Sequence, residues 1–244
     1  TTFNNVTNLP PPPPKPSQPN CDYQPDSYWP RWRGSNNDCN GVSQYPGISG
    51  SDLVYNNYDA GGTNPVIDKN GNLYTTSHYE AKLECFNPDL TLKWTYDESS
   101  IAQYFRFSSP VIGCDGTIYT CRSEIYYTSL ICAINPDGTL KWRSPRLTGG
   151  LYQCIPIIIN EVVFCATYTR LIYGIDKDGN IVFKKIIPGL TFDNYSLAGD
   201  DKTNSLYVVG HNYDEEFLNV IGLNISSKKY WRYSAPGSAG FYNA

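Results

Sequence analysis

Eight cysteines, two histidines and a few short acidic runs are the side chains of this 244-residue chain that could carry chemistry. A structural zinc site needs thiolates or imidazoles paired at short spacing, as in C-x-x-C. No such pair occurs; Cys114 and Cys121 are the closest cysteines, and His78 and His211 stand far apart. An even number of cysteines without metal-ligand spacing reads as a set of disulfides made in an oxidising compartment. Cys154 and Cys165 flank a turn centred near Asn160, and Cys121 and Cys132 flank a turn between two predicted strands. Cross-strand neighbours come close enough to bridge, so Cys154–Cys165 and Cys121–Cys132 are the expected hairpin pairs. Cys21–Cys39 would pin the N-terminal part, and elimination leaves Cys85–Cys114. Spacing by itself does not select one connectivity among the many available.

Three sequons, Asn5-Val6-Thr7, Asn194-Tyr195-Ser196 and Asn224-Ile225-Ser226, are acceptors for N-linked glycans and agree with secretion. The chain contains no Met and starts at Thr1, as expected of a mature form whose leader has been removed, or of a trimmed chain. The run Asp214-Glu215-Glu216 reads as a solvated loop, because three consecutive side chains cannot all converge on one cation. Asp200-Asp201 reads as a tight turn. There is no G-x-S-x-G elbow, and His78 and His211, both placed just past predicted strands, offer no base for a triad. The expectation is a protein that is not an enzyme and uses no cofactor or metal.

The totals narrow the class further. With 40% hydrophobic and 17% charged residues the chain has a globular balance. Tyr (21) and Phe (9) favour strands, while Gly (20) and Pro (18) favour turns. A net charge of -4 without a basic cluster makes nucleic acid an unsuitable partner. No apolar run reaches the ~18 residues that span a bilayer. The best candidate, 154–166, is broken by Asn160 and Glu161 and reads as a β-hairpin.

Residues 1–20 form a Pro-rich arm with a continuous run at 10–14, followed by Lys15 and Pro16. Proline fixes φ and cannot donate to a sheet, so the arm is expected as an extended polyproline rod. It also fits P-x-x-P-x-K, an SH3-type ligand, but that reading is at odds with secretion; a stiff spacer or stalk fits better.

From residue 61 onward the sequence repeats. First strands are expected near Pro65-Val66-Ile67, Pro110-Val111-Ile112, Pro156-Ile157-Ile158 and Ser196-Leu197-Ala198. Second-strand aromatics Tyr74, Tyr119, Phe164 and Tyr207 recur 45, 45 and 43 residues apart. Fourth-strand aromatics Trp94, Trp142, Phe183 and Trp231 recur 48, 41 and 48 residues apart. Between third and fourth strands stand the turns Asn87-Pro88-Asp89, Asn135-Pro136-Asp137-Gly138, Asp176-Lys177-Asp178-Gly179 and Asn224-Ile225-Ser226-Ser227. Their Asp and Asn side chains serve the turns rather than chemistry. A four-stranded unit every ~40–50 residues predicts an all-β fold, a β-propeller of four-stranded antiparallel blades.

The second unit, Ser109-Pro110-Val111-Ile112-Gly113-Cys114-Asp115-Gly116-Thr117-Ile118-Tyr119 followed by Asn135-Pro136-Asp137-Gly138-Thr139-Leu140-Lys141-Trp142, resembles the pyrroloquinoline-quinone-like (quinoprotein-type) repeat. Trp29-Pro30-Arg31-Trp32-Arg33-Gly34-Ser35 resembles the stretch that often opens such domains. The resemblance runs over about 28–244 and implies rings of seven or eight blades. In the quinone-dependent dehydrogenases of that family it would imply adjacent cysteines against the cofactor, a calcium held by Glu, Asn and Asp, and a catalytic Asp. No residue here carries over, and no Cys-Cys pair exists.

The expected layout is a Pro-rich arm at 1–20, a disulfide-pinned opening segment at 21–60, and blades at about 61–107, 108–152, 153–193 and 194–237, with another starting at 238–244. Four repeats and a partial one make an arc, so the chain is expected to be part of a larger ring or to be completed by a partner. The function expected is a secreted, extracellular, structural or interaction propeller. It would be a glycoprotein subunit of an assembly such as a filament or surface appendage. Its partners would be other protein chains, copies of itself included, met through blade edges and the Pro-rich arm. The alternatives are a carbohydrate-binding propeller, in which aromatic faces stack on sugars, and a remnant of a quinone-dependent dehydrogenase.

Overall fold

The computed structural model describes residues 63–77, 81–99, 106–124, 128–151, 154–189, 191–212 and 215–236. The arm at 1–20 with Asn5, the opening segment at 21–60 with Cys21 and Cys39, His78 and the stretch 238–244 lie outside them. Every regular element among the described residues is a strand. The first sheet runs in the order β1 (Val66–Ile67), β2 (Leu73–Thr76), β3 (Lys82–Phe86), β4 (Leu92–Asp97). The third follows the same order with β11 (Ile157–Ile159), β12 (Val162–Ala166), β13 (Leu171–Ile175) and β14 (Ile181–Ile186). So does the fourth, with β15 (Thr191–Asp200), β16 (Ser205–Asn212), β17 (Glu215–Asn224) and β18 (Tyr230–Pro236). All pairings are antiparallel meanders, as the repeat predicted.

The second sheet is larger. Its core is β6 (Val111–Ile112), β7 (Ile118–Glu124), β8 (Thr128–Ile134) and β9 (Leu140–Arg143). Two short strands, β5 (Arg106–Phe107) on β7 and β10 (Leu147–Thr148) on β8, extend it to six. The repeat gave no sign of these additions, which lie in loops of irregular spacing.

Alternation along the strands buries both faces of the second sheet. Ile112, Ile118, Cys132 and Ile134 join Tyr74, Leu83 and Cys85 of the first sheet in one cluster. Val111, Tyr119, Cys121, Ile131 and Ala133 join the third sheet in another. Each sheet therefore covers its neighbour face to face, in chain order, as blades do. Burying one such Ile or Phe contributes about 1.5–3 kcal/mol.

A cross-strand sandwich recurs on one face of every blade. The β2–β3–β4 register aligns Tyr74, Cys85 and Trp94. The corresponding rows are Tyr119, Ala133 and Trp142; Phe164, Gly174 and Phe183; and Tyr207, Gly222 and Trp231. The ring centroids of the outer pair lie 5.9, 5.7, 5.6 and 6.3 Å apart. Two rings can meet across a strand only if the residue between them is small. A Cβ on Gly174 would lie 2.8 Å from both Phe164 Cε1 and Phe183 Cβ. The regularly spaced aromatics are thus structural, and the small third-strand residue is a partner that the sequence analysis missed.

The same rings join blades. Trp94 Nε1 donates to Pro136 O (3.1 Å) in the next blade's turn, and Trp142 Nε1 donates to Lys177 O (2.8 Å) in the turn after that. Gly138 and Gly179 sit under these indoles at φ +88° and +89°, and a Cβ on Gly138 would lie 2.7 Å from Trp94. At the third joint Phe183 replaces Trp, and Lys228, at φ 54°, places its ammonium 5.4 Å from that ring. The turns close alike: Asn87 N bonds Thr91 O, Asn135 N bonds Thr139 O and Asp176 N bonds Asn180 O. The fourth does not align position for position, because Asn224 N reaches Lys229 O across one extra residue.

Gly174→Ala should therefore destabilise the chain by about 1–3 kcal/mol, the range for overpacking a filled core. Denaturant midpoints of the two proteins measure it; equal midpoints would remove the sandwich argument.

Candidate functional site

The buried polar groups are the first place to look for chemistry. At the joint between the first two blades, Glu98 is enclosed, its side chain only 1% exposed. It accepts from Arg122 Nη1, from Tyr96 Oη and from Arg143 Nε (2.7 Å), and Arg143 Nη2 lies 2.6 Å from the same carboxylate. Burial pushes the Glu98 carboxyl up, but hydrogen bonds from Tyr96, Arg122 and Arg143 outweigh it and hold the group below its ordinary value. Burial and the Glu98 carboxylate push Tyr96 above the usual phenol range. Two guanidiniums on one carboxylate bind charge firmly and leave no proton to transfer. This is a staple between blades.

Asp68 is spent in the same way. It accepts from Asn70 N, Asn72 N, Asn72 Nδ2 (2.7 Å) and Tyr74 Oη (3.0 Å), closing the β1–β2 turn. In the exposed turns, Thr91 and Thr139 hydroxyls hold Asp89 and Asp137 below the ordinary carboxylate range. Asp200 accepts from Lys202 N (3.0 Å) and Thr203 Oγ1 (2.7 Å), the tight turn expected at Asp200-Asp201. The other acidic run differs from expectation: Glu215 and Glu216 open β17 instead of lying in a loop, and Asp214 lies outside the described residues. His211 is likewise within β16, in register with Leu218 and Thr191. Among the described residues no group of three His, Cys, Asp or Glu side chains is arranged to hold a metal ion.

The cysteine pairing requires correction. Cys85, Cys121, Cys132, Cys154 and Cys165 are buried free thiols. Cys85 and Cys114 are not paired: Cys85 is a free thiol, the small residue between Tyr74 and Trp94. Cys121 and Cys132 cannot bridge because the register pairs Cys121 with Ile131 and Thr120 with Cys132. Adjacent residues of a strand point to opposite faces, so these thiols enter different interblade cores. Cys154 and Cys165 are out of register by two positions: Ile157 pairs with Phe164, which sets Cys165 against Pro156. The turn itself sits at Asn160-Glu161, both at positive φ.

Of the sequons, Asn194 lies in the irregular stretch of β15 between Phe192 and Leu197. Asn224 lies at the start of its turn, with Oδ1 accepting from Ser227 N (2.9 Å) and Nδ2 donating to Thr203 O (3.3 Å).

What remains is a surface. Trp231 occupies the position of Trp94 and Trp142 in the last blade, yet it is 54% exposed, beside Tyr230 and Tyr233. Ser205, Tyr207, Asn224, Lys229 and Tyr230 line a depression of about 280 Å³ around it. At the opposite end, the first blade carries exposed Leu90 in its turn at 87–91 and exposed Leu92 at the start of β4. Leu90 holds the place of Gly138 and Gly179, at φ 66°. The exposed apolar side chains of the two ends are the candidate functional site.

Glu98→Gln should cost about 3–5 kcal/mol, because it leaves Arg122 buried without its anion. Glu98 is held below its ordinary range in the folded chain, so its contribution is present above that range and is lost as pH falls through the folded value. The gap in thermal midpoint between wild type and variant should narrow from pH 7 to pH 3; a constant gap would remove Glu98 as its source.

No protein-family model matches the chain. No curated protein matches it. Solved structures do match. A streptogramin B lyase structure superposes with TM-score 0.54 at 15% identity, covering 73% of this chain and 56% of that one. The Dos1 propeller superposes with TM-score 0.50 at 10% identity, covering 72% and 47%. The WD40 domain of SCAP from fission yeast has TM-score 0.47 at 12% identity, covering 72% and 45%. The chain spans about half the length of these structures. At such identities the likeness concerns the fold alone, and it agrees with the sheet order, the shared apolar faces and the Trp-capped turns: the chain is all-β and builds the blades of a β-propeller.

Proposed function

We propose that the chain is a non-catalytic, extracellular interaction propeller of the pyrroloquinoline-quinone-like repeat type, and that it assembles end to end with further copies of itself into a larger body such as a filament. The observation that carries this reading is the exposure of Trp231. Trp94 and Trp142 each rest on the next blade's turn and donate to its backbone. Trp231 has the same place in its blade and is left open to solvent, so it presents a joint ready for one more blade. The first blade of a second copy supplies the counterpart, with Leu90 and Leu92 exposed on and beside the equivalent turn. Leu90 in place of Gly offers the indole an apolar side chain instead of bare backbone, much as Lys228 sets its side chain beside the Phe183 ring at the third joint. Joining unlike ends is a heterologous contact, which builds rings or open filaments.

The Pro-rich arm would reach or tether neighbouring chains, and glycans on Asn5 and Asn194 would keep the assembly solvated. Asn224 is different, because it lines the depression around Trp231. A glycan there and a docked blade compete for one face, which makes glycosylation at Asn224 a brake on assembly. The non-catalytic reading rests on the buried acids: Glu98 and Asp68 are consumed by structural hydrogen bonds.

One observation favours a second reading, carbohydrate binding. Tyr207, Tyr230 and Trp231 line that depression together with Ser205 and Asn224, a mixture of ring faces and hydrogen-bonding groups that suits a sugar. Light scattering on the full chain, with enzymatically removed glycans, separates the two. Assembly predicts mass rising with concentration, and Trp231→Ala should weaken association at least about tenfold, as a central aromatic anchor does. A monomer at every concentration would overturn the assembly reading, and glycan-array signal lost in Trp231→Ala would then support the second.

A further inference from the structure

Three cysteines meet between the second and third blades, and the proposed assembly makes no use of them. Cys121 on β7 faces the third blade, on the same side of its strand as Tyr119. Cys165 on β12 stands opposite Tyr173, whose hydroxyl accepts from Thr148 N (3.3 Å) of the second blade, so Cys165 faces back across the same joint. Cys154 lies on irregular backbone just before β11, and its Sγ accepts from Ala166 N (3.4 Å). All three thiols are buried in the one apolar cluster that fills this joint, and the Cys121 thiol lies beside those of both Cys154 and Cys165. Cys121 is therefore the central member of the trio. Any single bridge that includes Cys121 joins two blades, whereas a Cys154–Cys165 bridge would stay within one.

The backbone decides between the two partners. A disulfide needs Cα atoms about 4.4–6.8 Å apart and Cβ vectors that converge. Cys165 is held in the ladder by its pairing with Tyr173. Cys154 is outside the strands and is tied by one turn bond, from its N to Leu151 O (3.1 Å). The adjustment that closes a bridge is easier where the backbone is not laddered. We propose that Cys121 and Cys154 form a disulfide that staples the second blade to the third, with Cys165 held as a free thiol beside it.

The bond is made by exchange with a small-molecule disulfide such as oxidised glutathione. The thiolate of Cys121 attacks one sulfur of that disulfide and expels a glutathione thiolate. The thiolate of Cys154 then attacks the Cys121 sulfur of the mixed disulfide and expels the second. Two protein thiols lose two electrons and two protons in all, and one glutathione disulfide becomes two thiols. Burial pushes the Cys121 and Cys165 thiols up, and contact with Cys121 together with burial does the same to Cys154. Once the blades have closed, these thiols stay protonated and exchange is slow. The staple therefore forms while the two blades are still coming together.

The test uses the full chain, reduced in denaturant and refolded in a glutathione redox buffer. Free thiols are then alkylated, and the chain is digested without reduction. Trypsin alone leaves Cys154 and Cys165 on one peptide, because neither Lys nor Arg falls between them; cleavage after Glu161 separates them. The same digest leaves Cys114 and Cys121 on one peptide, 107–122, until the chain is also cleaved at Asp115; mass spectrometry should then show the Cys121 peptide linked to the Cys154 peptide, with Cys165 alkylated. The link should survive in Cys165→Ala. Closing a loop of 33 residues should raise the thermal midpoint by about 5–15 °C over the Cys154→Ala variant refolded in the same buffer. Alkylation of all three cysteines, or a link that joins Cys165 to either neighbour, overturns the proposal.

Discussion

A four-stranded sheet that is apolar on both faces cannot stand alone in water. The second blade shows the constraint most clearly: Ile118 and Ile134 face one neighbour, while Tyr119 and Ala133 face the other. Every blade therefore needs a blade on each side, and this requirement governs the rest of the structure. It explains why the aromatic rows point toward the next blade, and why the turns there expose backbone carbonyls to an indole. At the end of the described blades the same position is open: Trp231 lies exposed where Trp94 and Trp142 rest on a following turn.

Within that constraint, polar groups act as positioning devices. The Glu98 carboxylate gathers Arg122, Arg143 and Tyr96 from two blades and so selects one relative placement of sheets that hydrophobic contact alone would let slide. Asn64 N on Ser109 Oγ (2.9 Å) and Asn160 Nδ2 on Asn204 Oδ1 (2.9 Å) repeat the idea at smaller scale. Apolar area gives the joints their strength, and paired charges and hydrogen bonds give them register. The buried carboxylates of Glu98 and Asp68 are committed to this work.

Regular spacing made the blades legible before any coordinates. The aromatics of second and fourth strands recur because each pair is one physical object, two rings across a small residue. The first three turns between third and fourth strands resemble one another because one geometry is reused. The short strands β5 and β10 were not legible, since they occupy stretches where the repeat is irregular. The cysteine pairing was misread for a related reason. Distance along the chain locates a hairpin but does not give its register, and a shift of one residue sends a side chain to the opposite face.

The amino-acid sequence alone determined the four-strand core of each unit, most of the turn chemistry and the class of fold, because these depend on local alternation and on residues a few positions apart. Only the tertiary structure decided which residues meet between blades. That Cys85 fills the gap under Trp94, that Cys121 faces Cys154 and Cys165, and that Glu98 lies between two arginines all follow from how whole sheets are turned against each other. Such contacts join residues tens of positions apart, and no local pattern encodes the angle at which one sheet lies on the next.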